Sequence, residues 1–84
     1  MFKEIKYKKL TFKFELEHYL GLNGYHLTIY NCEVYEDEDY VDTYRGDSLC
    51  SLNNSMLNDL LMYGYIKESE WFKIDDIIDK EFHK

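Results

Sequence analysis

Over residues 9–17 the chain alternates: Leu10, Phe12, Phe14 and Leu16 are apolar, and Lys9, Thr11, Lys13, Glu15 and Glu17 are polar. Successive side chains of an extended backbone point to opposite faces, so this pattern suits a strand with one face buried. A helix would need apolar residues every three or four positions instead. Gly21-Leu22-Asn23-Gly24 follows, and its Asn-Gly pair tolerates the positive φ of a hairpin turn. Residues 25–35 hold the β-formers Tyr25, Thr28, Ile29, Tyr30 and Val34 and are expected to return as the second strand. Residues 36–39 are too charged for burial and are expected as a loop or an exposed edge. Residues 40–44 regain β propensity and are expected as a third antiparallel strand, with Arg45-Gly46-Asp47 as a turn.

The period then changes. Leu49, Leu52, Met56, Leu57, Leu60 and Leu61 recur at three and four, which is the stripe of an amphipathic helix. Asp47, Ser51, Asn53 or Asn54 could cap its start, and Gly64 is the natural stop. Residues 65–67 read as an extended link. Ser69 is expected to cap a second helix with Glu70 in its first turn and Lys80, His83 and Lys84 in its last. The apolar face of that helix is Trp71, Ile74, Ile77, Ile78 and Phe82. The expected fold is therefore α+β: a three-stranded antiparallel sheet followed by two amphipathic helices packed on one face, in a single domain of residues 1–84.

A chain of 84 residues has a thin core, yet nine Tyr, five Phe and Trp71 supply large buried areas per residue, so neither disulfide nor metal is required. Cys32 and Cys50, with no signal-peptide h-region ahead of them, read as reduced thiols. No apolar run approaches membrane-spanning length. A cytoplasmic protein is expected. The absence of Ala, Gln and Pro beside nine Lys, nine Tyr, six Ile and five Asn points to a low-GC genome, such as that of a bacterium or its phages.

The net charge of −7 is unevenly spread: residues 1–14 carry +4, residues 15–47 carry −8 and residues 48–84 carry −3. Self-repulsion within the middle block opposes folding. The tract over residues 33–44 interleaves acids with tyrosines. On an extended chain, alternate residues stand about 6.7 Å apart on one face. Glu36, Glu38, Asp42, Tyr40 and Tyr44 would share one side, with Asp37 and Asp39 on the other. Anions at such spacing among flat rings resemble what a nucleic-acid strand offers its binding protein. The plainer reading is a solvated acidic loop with its tyrosines packed on the sheet.

Other chemistry fits less well. Counted as an EF-hand from Asp37, the sixth residue is Asp42 rather than Gly and the twelfth is Ser48 rather than Glu, so the calcium pattern fails. His18, His26, His83, Cys32 and Cys50 lack metal-ligand spacing. Asp47-Ser48-Leu49-Cys50-Ser51 has no histidine nearby in sequence to activate a nucleophile, and Glu15 with Glu17 is common strand decoration. A helix-turn-helix reading around Gly64 meets Asp75, Asp76, Asp79 and Glu81 on the second helix, which phosphates would repel. The lysines of residues 1–14 could instead neutralise the acidic block in cis.

The expectation is a non-enzymatic inhibitor without metal or cofactor that binds no nucleic acid or membrane itself. It would occlude the cationic nucleic-acid site of a larger protein. In size and charge the chain is of the kind found among phage-encoded inhibitors of bacterial defence nucleases, of anti-CRISPR or anti-restriction type. Glu36, Asp37, Glu38, Asp39 and Asp42 would steer the encounter, and Tyr35, Tyr40 and Tyr44 would anchor it. The alternative is a structural or regulatory interaction module, such as a homodimer, an assembly subunit or an antitoxin- or immunity-type protein. Its contact would form through Tyr63, Tyr65 and Trp71.

Overall fold

A computed structural model describes residues 2–21 and 24–83. Their order is β1 (Phe2–Tyr7), β2 (Leu10–Leu20), β3 (His26–Glu36), β4 (Asp39–Gly46), α1 (Leu49–Met62) and α2 (Glu68–Phe82). The fold is α+β, with four antiparallel strands followed by two helices. By contacts the chain forms two compact units, Met1–Leu52 and Asn53–Lys84.

The first unit is a meander in which each strand pairs with its sequence neighbours, in the order β1-β2-β3-β4. Three strands were expected and there are four. The extra strand is β1, where only Ile5 is buried and Lys3, Glu4 and Lys6 mask the period-two signal. β1 pairs Ile5 with Phe12 and Lys3 with Phe14. β2 and β3 run in unbroken register from Leu10 opposite Glu36 to Leu20 opposite His26. Antiparallel partners share a face, so Phe12 lies beside Val34 and Phe14 beside Cys32, all four with no exposed surface. The other face carries Thr11, Lys13, Glu15 and Glu17 beside Tyr35, Glu33, Asn31 and Ile29. This is the alternation read from residues 9–17.

Of the expected Asn-Gly turn, Leu22 and Asn23 lie outside the described residues. Gly24 takes φ +78°, and Gly21 N–H donates to the Tyr25 carbonyl at 2.7 Å. The expected turn over residues 45–47 begins later, since Arg45 and Gly46 still belong to β4.

In the helices, Leu52, Met56, Leu57, Leu60, Ile74 and Ile78 are fully buried, as the stripes require. The cap of α1 is none of the four candidates. Ser48 Oγ accepts the Ser51 N–H at 3.1 Å, because β4 ends at Gly46 and the helix begins at Leu49, directly after Ser48. Gly64, at φ +83°, ends α1: its N–H reaches the Leu61 carbonyl at 3.2 Å, and Tyr65 N–H reaches Leu60 at 2.9 Å. These two bonds form a Schellman motif, which needs the left-handed backbone glycine supplies. The cap of α2 is Lys67, two residues before the expected Ser69. The Glu70 carboxylate accepts the Lys67 N–H at 3.0 Å, so the third residue of the helix closes its own first turn.

Candidate functional site: the acidic β3–β4 hairpin

The acid–tyrosine tract folds into a hairpin. Glu36 and Asp39 are its closing pair, leaving Asp37 and Glu38 as a two-residue turn. Asp37 sits at φ +56°, a conformation that Asp tolerates better than most residues. Its N–H donates to the Lys9 carbonyl at 2.7 Å, tying this turn to the β1–β2 turn beside it. The two turns have the same form, since Lys8 sits at φ +51° between Tyr7 and Leu10.

The register shifts between Val34 and Tyr35: Val34 faces Asp42, but Tyr35 faces Tyr40. One extra residue in β4 is a bulge, and it inverts the alternation beyond it. Tyr40 and Tyr44 were expected on one side and the bulge separates them. Tyr40 joins Tyr35, Glu33 and Lys13 on the polar face. Tyr44 pairs with Cys32 and is buried at 9% exposure, so its ring belongs to the core and does not anchor a partner. The extended line of Glu36, Glu38 and Asp42 is likewise folded back on itself by the turn. Asp37, Glu38, Asp39 and Asp42 are exposed, while Glu36 and Tyr35 are half-buried.

Tyr35 is held from three sides. Its hydroxyl donates to Glu33 Oε2 at 3.2 Å, its ring meets Tyr40 edge-on at 5.7 Å, and Lys13 Nζ lies 4.7 Å from its centroid. Partial burial, and then the bond to Glu33, pushes its phenol above the ordinary value. Tyr40 is 56% exposed, with its hydroxyl 2.6 Å from Thr43 Oγ1. Asp42 Oδ1 accepts the Thr43 N–H at 2.8 Å, which fixes that carboxylate at the bulge.

A shallow depression of about 260 Å³ opens on the polar face, lined by Glu4, Lys6, Thr11, Lys13, Tyr35, Asp37 and Glu38. Lys6 of β1 and Lys13 of β2 therefore line the same depression as Asp37 and Glu38. Asp39 and Asp42 lie outside that lining, on the edge strand.

The remaining candidates are dispersed. His18 Nδ1 is 3.1 Å from Thr28 Oγ1, and His26 lies across from Leu20. His83 Nδ1 is 3.2 Å from Asp79 Oδ1. Burial, before the charge of Glu33, pushes the Cys32 thiol far up, which removes it as a nucleophile, and Cys50 is exposed. Among the described residues no three His, Cys, Asp or Glu side chains gather as metal ligands, and no helix is long and apolar enough to cross a membrane.

One surface was not expected from the sequence, and a second was expected only in part, through Trp71. The far end of the β2–β3 hairpin exposes Tyr19, Leu20, Tyr25 and Leu27. On the helices, Asn58, Leu61, Glu68, Trp71 and Phe72 line a depression of about 280 Å³. Trp71 Nε1 donates to Asn58 Oδ1 at 3.0 Å, and Phe72, 72% exposed, packs edge-on against Trp71. Phe72 was legible as a large apolar residue off the stripe of α2. No protein-family model, curated protein or solved structure matches the chain.

Proposed function

We propose that the chain is a protein-binding inhibitor whose β3–β4 hairpin enters the cationic nucleic-acid groove of a larger protein, such as a bacterial defence nuclease. The observation that carries this reading is the exposure, on one hairpin, of Asp37, Glu38, Asp39, Asp42 and the ring of Tyr40. The acids accelerate the encounter with a basic groove, and the ring, backed by Tyr35, supplies lasting contact. Inhibition is by occlusion and consumes nothing.

The test is DNA cleavage by a panel of purified restriction and RNA-guided nucleases, with and without the protein. Stoichiometric protein is expected to stop at least one of them, less effectively as salt rises. The triple reversal Asp37→Lys, Glu38→Lys and Asp39→Lys is expected to abolish inhibition, as is Tyr40→Ala in good part. Inhibition unchanged by the reversal sinks the reading.

A second reading, an interaction module without mimicry, draws on the helical depression with Trp71 and Phe72 at its wall and Met62 and Tyr63 exposed nearby in sequence. Exposed aromatic clusters mark protein contacts. It requires Phe72→Ser to remove binding that the acid reversal leaves intact.

A further inference from the structure

We propose that the far end of the β2–β3 hairpin is a self-association arm that pairs, edge to edge, with the same arm of a second copy of this chain. β1 accompanies β2 only as far as Glu15, and β4 accompanies β3 only as far as Tyr30. The pairs from Glu17 opposite Ile29 to Leu20 opposite His26 therefore extend beyond both outer strands, with no further strand beside residues 16–20 among the described residues. A two-stranded ribbon is marginal alone in water, and a bare strand edge is a template for another chain.

Elsewhere the sheet guards its edges. β1 carries Lys3 and Lys6 along the outside, and β4 carries the bulge with Asp39 and Asp42. Charges and bulges of this kind prevent edge pairing. The arm has no bulge, since its register is unbroken, and carries Glu17 alone among acids and lysines; its exposed residues include Tyr19 at 47%, Leu20 at 71%, Tyr25 at 75% and Leu27 at 49% exposure.

Charge selects the occupant. Glu17 is the one Asp, Glu, Lys or Arg in residues 16–29, and Arg45 meets it at 3.2 Å. A basic partner is drawn to the acidic hairpin and finds nothing to pair with here. A second copy presents the same nearly uncharged patch, where two chains of −7 net charge meet with little local repulsion. A two-fold antiparallel pairing centred on His18 places Leu16 against Leu20 of the second copy and Glu17 against Tyr19, an isologous contact.

Sedimentation velocity between about 1 and 200 µM covers the affinity range of such a contact. The weight-average mass is expected to rise toward twice the 10.3 kDa of the chain. Added salt strengthens this dimer by screening repulsion, whereas it weakens binding of a basic partner, so failure of one reading does not imply failure of the other. Tyr19→Glu with Leu20→Glu is expected to give monomer throughout, and far-UV circular dichroism verifies that the variant is folded. In a Cys50→Ser background, His18→Cys is expected to yield a disulfide-linked dimer on mild oxidation. A wild-type monomer over the whole range, a dimer indifferent to Tyr19→Glu with Leu20→Glu, or a dimer that His18→Cys does not link would each overturn the proposal.

Discussion

The two ends of the β2–β3 ladder are made from the same strands and differ in almost every surface property. At one end, Leu10 opposite Glu36, the sheet has four strands, two tight turns joined by the bond from Asp37 to Lys9, and a dense mixture of acids and lysines. At the other end, Leu20 opposite His26, it has two strands, exposed tyrosines and leucines, and almost no charge. A charged end discourages strands from adding and recruits partners through its field. An uncharged end with bare edges does the reverse. The contrast shows that the −7 net charge describes neither end: it is spread over the chain, while what a partner meets is set locally.

The comparison presumes that both ends depend on one buried middle. Phe14→Ala tests this most severely. Its ring is fully buried beside Cys32, and its loss is expected to cost roughly 3–5 kcal/mol, a large part of the stability of a small domain. Urea unfolding that moves by less than about 1 kcal/mol would mean that the ends hold independently.

The turns give the next largest effect, in the opposite direction. Lys8 pays the left-handed penalty in full and Asp37 less so. Lys8→Gly is therefore expected to stabilise by up to about 1 kcal/mol and Asp37→Gly by a few tenths. An equal gain at both would show that the Asp side chain contributes nothing to its turn.

The smallest effect lies at the root of the arm. The Tyr19 hydroxyl donates to Glu17 Oε2 at 2.7 Å; this bond, with lesser help from Asn31 and Arg45, holds the Glu17 carboxyl below its ordinary value despite some desolvation. A depressed carboxylate contributes stability that is fully present above its unfolded value and is lost as pH falls through the folded one. Thermal melts are thus expected to decline from about pH 5 toward pH 3, and Glu17→Gln is expected to flatten that decline slightly. A steeper decline in the variant would reverse the assigned sign.

The local structure is legible in the sequence wherever a period or a single residue type decides it. The alternation of residues 9–17, the stripes of both helices and the stop at Gly64 need only the geometry of strand and helix. β1 was hidden because a strand at a sheet edge buries one residue in six and shows no pattern. The site was half legible. The exposure of Asp37, Glu38 and Asp39 follows from charge, since burying them unpaired is prohibitive.

The sequence by itself determined that the chain alternates strands with a buried face, then turns helical, and carries its acids in one tract. Only the tertiary structure decided what that tract presents. One extra residue opposite Val34 and Tyr35 sends Tyr44 inward and leaves Tyr40 outward, because strand side chains alternate with period two and a bulge reverses their parity. Register is a property of two strands together, and neither strand records it alone.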